Sequence, residues 1–122
     1  AMIRCVLESL ALLYRRTHRQ IEQLIGQKIE RLHIVGGWSK NDLLNQFTAN
    51  ALQIPVLTGP VEATAAGNVL IQAITLGHLP SLQAARQVVR DSMGVSSVQP
   101  EAAPAWNKAC ARMEHLLTVT VK

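Results

Sequence analysis

Apolar side chains along residues 2 to 25 return at steps of three and four: Ile3, Val6, Leu7, Leu10, Leu13, Tyr14, Ile21, Leu24 and Ile25, with Arg15, Arg16, Arg19, Gln20 and Glu22 in the gaps. That period gathers the apolar positions into one stripe and predicts an amphipathic helix stopping at Gly26, a residue at ease in the left-handed conformation of a helix C-terminus. The helix starts at the second residue with no capping residue before it, the pattern of a chain that begins inside a larger fold. Leu32, His33, Ile34 and Val35 then break the period. Their continuous apolar run, closed by Gly36, predicts a strand over 32–36 buried on both faces, as in a parallel sheet. After Gly36 and Gly37 the helical spacing resumes, with Ser39 as N-cap, Asp42 completing an approximate capping box, and Leu43, Leu44, Phe47 and Ala51 on the inward face.

The alternation repeats. Ile54 to Leu57 predicts a second strand over 54–58, broken by Gly59 and Pro60, and residues 62 to 76 return to helical spacing until Gly77. Pro80 and Ser81 open a further helix to about Asp91, with Leu82, Ala85, Val88 and Val89 inward. Residues 92–103, "SMGVSSVQPEAA", read as a loop. A last helix from Pro104 carries Trp106, Ala109, Cys110, Met113, Leu116 and Leu117, and the tail "TVTVK" reads as frayed or as a strand remnant. Strand, helix, strand, helix is the order of parallel strands joined by right-handed crossovers under a cover of helices. The expected fold class is therefore α/β, with two short parallel strands and four or five helices.

Composition narrows the function. An apolar content of 48% against 16% charged residues excludes disorder in a chain of 122 residues. Twelve Lys and Arg against eight Asp and Glu leave a net charge of +4. The cations are scattered, with no basic stripe and no interleaved aromatics, which argues against nucleic acid as partner. Cys5 and Cys110 are too few and too far apart for a disulfide framework or a paired metal site, and read as buried free thiols. No apolar run approaches the ~18 residues of a membrane span, and no secretory leader is present, so the expected location is the cytoplasm.

The chemistry sits in "HIVGGWSKNDLLNQ". A parallel strand that ends in two glycines and feeds a helix presents backbone N–H groups at the carboxyl end of the strand, where open α/β sheets hold their ligands. Gly36 and Gly37 let a flat or anionic ligand approach the backbone, and Asn41 offers both a donor and an acceptor for a sugar hydroxyl or a purine edge. The spacing is neither that of a dinucleotide fingerprint, which also wants an acidic residue about 20 positions on, nor that of a phosphate loop with its lysine, and a purely steric turn remains the alternative.

Two blocks in combination, "HIVGGWSKNDLLNQ" and "GPVEATAAGN", resemble the C-terminal part of the FGGY carbohydrate kinases, most closely the members that phosphorylate L-rhamnulose with ATP. The resemblance runs over nearly the whole chain and implies that residues 1–122 are one partial domain, the back of the second of two actin-like, ribonuclease-H-like kinase domains. It implies that Gly37 and Asn41, with Gly36 beside them, contact the adenosine of the nucleotide. It implies ATP with Mg²⁺ as the requirement of the parent enzyme. Trp38 departs from the family, which carries a small residue there; the ring either stacks near the adenine, occupies the nucleotide's space, or packs on a neighbouring helix. The family's phosphate loop, sugar-binding residues and general-base aspartate have no counterpart in these 122 residues. Asp42 and Asp91, the two aspartates, read as a helix-start charge and a solvated helix end. No catalytic residue and no metal ligand is assigned, and the chain alone is expected to be inactive. A noncatalytic nucleotide-binding or protein-interaction module on the same fold is the alternative.

The remaining singular residues take structural readings. His33 reads as a hydrogen-bonded core histidine, His18, His78 and His115 as isolated, Glu62 as a helix cap, and the thin face of Ala63, Ala65, Ala66 and Gly67 either as a close-packing surface or as plain helix propensity of the alanines. Uncovered strand edges and the apolar stripe of residues 2 to 25 call for a partner: the rest of a kinase chain, or a second copy forming a homodimer through that helix.

Overall fold

The computed structural model describes residues 1–101 and 104–119. Among them the chain runs α1 (Met2–Ile25), β1 (Leu32–Ile34), a 3₁₀ turn (Gly37–Lys40), α2 (Asp42–Leu52), β2 (Val56–Thr58), α3 (Ala63–Thr75), α4 (Leu82–Ser92), β3 (Ser96–Val98) and α5 (Pro104–Val119). The strands form one sheet in the order β1-β2-β3. Leu32 donates its N–H to Pro55 O at 3.1 Å, Gly59 to Ile34 O at 2.9 Å and Gly36 to Pro60 O at 3.0 Å. The partner numbers rise together, so β1 and β2 are parallel as the alternation predicted. Gly59, just past β2, lies against Gly94, just before β3, so β3 runs the other way.

Each strand is three residues long, shorter than the apolar runs suggested. The expected loop over 92–103 contains β3, whose serines conceal it from any hydrophobic pattern. The last three residues of the "TVTVK" tail lie outside the described residues; Thr118 and Val119 end α5. Strand β1 is not buried on both faces. It is an edge of the sheet, and its alternate positions His33 and Val35 are exposed while Leu32 and Ile34 are half-buried.

The chain divides into two compact units. The first comprises Ala1–Leu32, Asp42–Val56 and the described residues from Val98 onward; the second comprises His33–Asn41 and Leu57–Ser97. In the first, α1 packs on α2 and both touch α5. Its centre is Ala11, Phe47 and Ala51, with Leu7, Leu52 and Trp106 packed around them. Alanines without exposed surface at 11 and 51 leave room for the one phenylalanine, whose ring meets Trp106 at 5.4 Å between centroids and 57° between planes. The Arg4 guanidinium lies 5.5 Å from the centroid of Phe47, a cation–π distance. Leu43, expected inward, is exposed; the buried face of α2 is turned to Leu44 and includes the polar Asn45, Thr48 and Asn50.

Polar side chains on α2 hold the approach to α5. Asn50 Oδ1 accepts the Glu101 N–H at 2.8 Å and the Gln46 amide at 2.9 Å, and Gln46 also donates to Gln99 O at 3.0 Å. Arg15 donates to Asn107 Oδ1 at 3.0 Å and Arg19 meets Glu114 at 3.4 Å, tying α1 to α5 from solvent. Gly26 ends α1 at φ 68°, donating to Glu22 O at 2.9 Å, while the Glu22 carboxylate accepts the Ile29 N–H at 2.8 Å. The thiols divide: Cys110 is buried, but Cys5 is exposed on the outer face of α1 and not buried as expected. That face also leaves Met2, Ile3, Val6, Leu13, Ile21, Leu24 and Ile25 exposed.

In the second unit α3 packs on α4. Ser81 caps α4, accepting the Ala84 N–H at 3.2 Å, and Gly77 follows α3 at φ 78°. Only Ala85 of α4 is buried, with Leu82 and Val88, expected inward, exposed. Glu62 occupies the N-cap position of α3 without a side-chain cap bond, so it is no cap in the hydrogen-bonding sense.

Phe47→Ala removes the largest buried ring of the first unit from a centre of alanines too small to collapse into the space. It is expected to lower stability by about 3 kcal/mol or more, read from a urea denaturation midpoint followed by circular dichroism.

Candidate functional site

The glycine turn is built by backbone geometry. Gly36 sits at φ 78° and ψ −164°, a conformation open to glycine and costly for any residue with a Cβ. It extends the pairing beyond β1 by donating to Pro60 O at 3.0 Å, and its own carbonyl accepts both the Ser39 N–H at 3.0 Å and the Ser39 hydroxyl at 2.6 Å. Ser39, which sequence alone placed as N-cap of the next helix, is instead buried inside the 3₁₀ turn and closes it onto Gly36. The reason is chain length: five residues separate Gly36 from α2, enough for a complete 3₁₀ turn of i→i+3 bonds.

Gly37 is a different glycine. Its φ is not positive, and a Cβ built on it would meet no heavy atom within 4 Å. Neither backbone strain nor packing demands glycine there, and the backbone is left open to whatever approaches it. Asn41 closes the 3₁₀ turn, donating its N–H to Trp38 O at 3.1 Å. It stands immediately before α2, although with Ser39 as N-cap it would have lain inside that helix. The backbone of Gly36, Gly37 and Asn41 is thus brought into one pinned turn. N–H groups of Gly36, Ser39 and Asn41 are already used, so fewer donors are presented than the sequence implied; those of Gly37 and Trp38 begin the 3₁₀ turn and have no intrahelical acceptor.

Trp38 is 65% exposed, which removes the packed-on-a-helix placement. His33 is exposed on β1, not in a core, although Nε2 does donate to Gly59 O at 2.5 Å. On the thin face of α3 Ala66 is buried, but Ala65 and Gly67 are exposed and a Cβ on Gly67 would meet nothing within 4 Å, so close packing among the described residues does not require glycine there. Gly59 does need to be glycine, at φ 95° and with the Gly94 carbonyl where a Cβ would go. The parts that sequence reasoning missed are the Ser39 clamp and the Gly36–Pro60 bond, which sets the two glycine-bearing blocks side by side. Nothing in a linear pattern signals either. Among the described residues no three His, Cys, Asp or Glu side chains gather as a metal centre.

With parallel strands, a pinned glycine turn beyond the first and the "GPVEA" block beside it, the chain belongs to the FGGY family of carbohydrate kinases, whose C-terminal domain matches residues 1–76. Rhamnulokinase of Bacteroides thetaiotaomicron is 48% identical over 108 residues, covering 88% of this chain and 22% of that protein. Rhamnulokinases of two Klebsiella pneumoniae strains are 46% and 43% identical over 99 residues, covering 81% of this chain and 20% of each. The chain thus spans about a fifth of the length of these curated relatives.

The two glycines separate experimentally. Gly36→Ala is expected to cost about 1 to 3 kcal/mol of stability, because the backbone must leave a glycine-only region, whereas Gly37→Ala stays within about 0.5 kcal/mol of the parent chain. Parallel chemical denaturation of the two variants checks both values; equal losses would mean that Gly37 is held by the fold.

Proposed function

We propose that this chain is the nucleotide-side C-terminal portion of an ATP-dependent sugar kinase of rhamnulokinase type, converting L-rhamnulose and ATP to L-rhamnulose 1-phosphate and ADP. In this reading Gly36, Gly37 and Asn41 form part of the wall against adenosine, and β1 and β2 belong to the sheet of an actin-like domain. The observation that carries it is the open backbone at Gly37: a glycine without strain or neighbours has a reason if a ligand lies against it. Family membership and the identity to rhamnulokinases supply the ligand class.

Phosphoryl transfer needs a metal-bound triphosphate held in line with an activated hydroxyl. Asp42 begins α2 exposed, and Asp91 lies exposed on α4, accepting the Gln87 amide at 2.8 Å; in this reading both are solvated charges on their helices and neither is the general base. In this reading the Mg²⁺ of the parent enzyme is held by the triphosphate and by the rest of the kinase. This chain holds the nucleoside end, and the reacting end belongs to the rest of a kinase. No helix of the described residues is long and apolar enough to cross a membrane, and the proposed reaction belongs to the cytoplasm, where ATP is available.

The rest of the kinase chain is the proposed partner of the apolar outer face of α1. Where it is absent, a second copy takes that place through residues 2 to 25, because seven large apolar side chains left in water favour burial by about 1.5 to 3 kcal/mol each before ordering costs. Sedimentation equilibrium of the isolated chain at micromolar concentration is expected to give a dimer, and a soluble monomer would overturn the dimer.

Incubated with ATP, Mg²⁺ and L-rhamnulose, the isolated chain is expected to give no turnover, and addition of the N-terminal part of a rhamnulokinase is expected to restore it. In that complemented enzyme Gly37→Val raises KM for ATP about tenfold or more, with kcat for saturating ATP changed less, since a side chain now fills the space beside the nucleoside. Turnover by the isolated chain, or an unchanged KM, would refute the assignment.

A further inference from the structure

We propose that the indole of Trp38 is the stacking face for the base of the bound nucleotide, so that this chain holds its base by aromatic contact and accepts adenine and guanine alike. The proposal rests on the nucleotide reading above and deepens it. Tryptophan normally hides most of its surface, yet this ring is 65% exposed, whereas Trp106 is packed against Phe47. Phe47, Tyr14 and Trp106 all fall in the first unit, which leaves Trp38 the lone aromatic of the second. It is no part of a core.

Its exposure is not that of a loose loop. The backbone before it is fixed by Gly36 N–H to Pro60 O at 3.0 Å and by the buried Ser39, whose N–H and hydroxyl both bond Gly36 O. The backbone after it is fixed by Asn41 N–H to Trp38 O at 3.1 Å. A ring presented from a pinned turn binds with little ordering cost beyond its own two torsions. Gly36 and Gly37 precede it without side chains, and the space at the Cβ position of Gly37 is open, which leaves room for a flat ring system along the backbone beside the exposed indole. A π-face reads the face of a base and not its edge. Such a contact binds either purine and does nothing for a ligand without a base.

The test uses the 122-residue chain. By equilibrium dialysis, Trp38→Ala is expected to bind ADP roughly 5- to 100-fold more weakly than the parent chain, the range for loss of one base–aromatic stack, and Trp38→Phe to stay within about threefold. With Trp106→Phe, Trp38 is the single tryptophan and is excited selectively over Tyr14; ADP and GDP are expected to quench it saturably with constants within a few-fold of each other, and ribose 5-phosphate not to quench it. If the parent chain binds ADP and Trp38→Ala binds it equally well or more tightly, the ring is idle or obstructive, and the proposal falls while the nucleotide reading stands. If ADP binds at least tenfold more tightly than GDP, edge recognition governs and the proposal falls likewise. If the parent chain shows no saturable ADP binding at millimolar concentration, the nucleotide reading and the proposal fall together. Dialysis decides the matter even if Trp106→Phe, which touches the Phe47 centre, does not fold.

Discussion

The hydrogen bond from Gly36 N–H to Pro60 O is the constraint on which the candidate site depends. Strands β1 and β2 are only three residues each, and on their own they pair briefly. The bonds at Gly59 and Gly36 carry the parallel register past the end of both strands, to the place where each chain turns away into its next element. Gly36 reaches Pro60 only with its φ positive, and in that conformation its carbonyl is taken by Ser39. One glycine therefore ends a strand, joins two blocks 24 residues apart and starts the 3₁₀ turn that carries Trp38 and Asn41.

The same economy governs the first unit in another way. A chain with a single phenylalanine and two tryptophans has little bulk to fill a core, and the α1–α2 packing works by removing bulk. Alanines at 11 and 51 bring the helices close enough for one aromatic pair and a guanidinium to close the remaining space. Where the alanines end, polar groups take over: Asn50 and Gln46 bond the backbone of residues 99 to 101 and hold that segment on α2. The opposite side of α1 has no such partners among the described residues and keeps its apolar stripe in solvent.

The glycine turn gives the site its chemical character. A turn held by four backbone and hydroxyl bonds is stiff, and its two glycines differ in what they do: Gly36 answers to the backbone, Gly37 to open space. A ligand meeting such a surface finds shape and a π-face, with few groups that titrate. Under the proposed function such a surface would hold the nucleoside, apart from the charge handling that phosphoryl transfer demands.

Periodicity alone determined the elements that repeat: α1 from its three-and-four spacing, its stop at Gly26, the parallel pair from the alternation of strand and helix, and the Ser81 cap of α4. The family, too, was legible in two short blocks, because the residues that make a glycine turn and its neighbour are consecutive in the chain. Tertiary structure decided everything that depends on what lies across from a residue. Strand β3 has no apolar signal and exists because β2 offers it an edge. His33 and Val35 read as core and are exposed because β1 is itself an edge; Ser39 reads as a helix cap and closes a 3₁₀ turn because Gly36 turns its carbonyl toward it. Gly36 and Gly37 are identical letters in sequence, and only the torsion of one and the empty space beside the other distinguish them, since a pattern records which residues are apolar and a fold records which of them have neighbours.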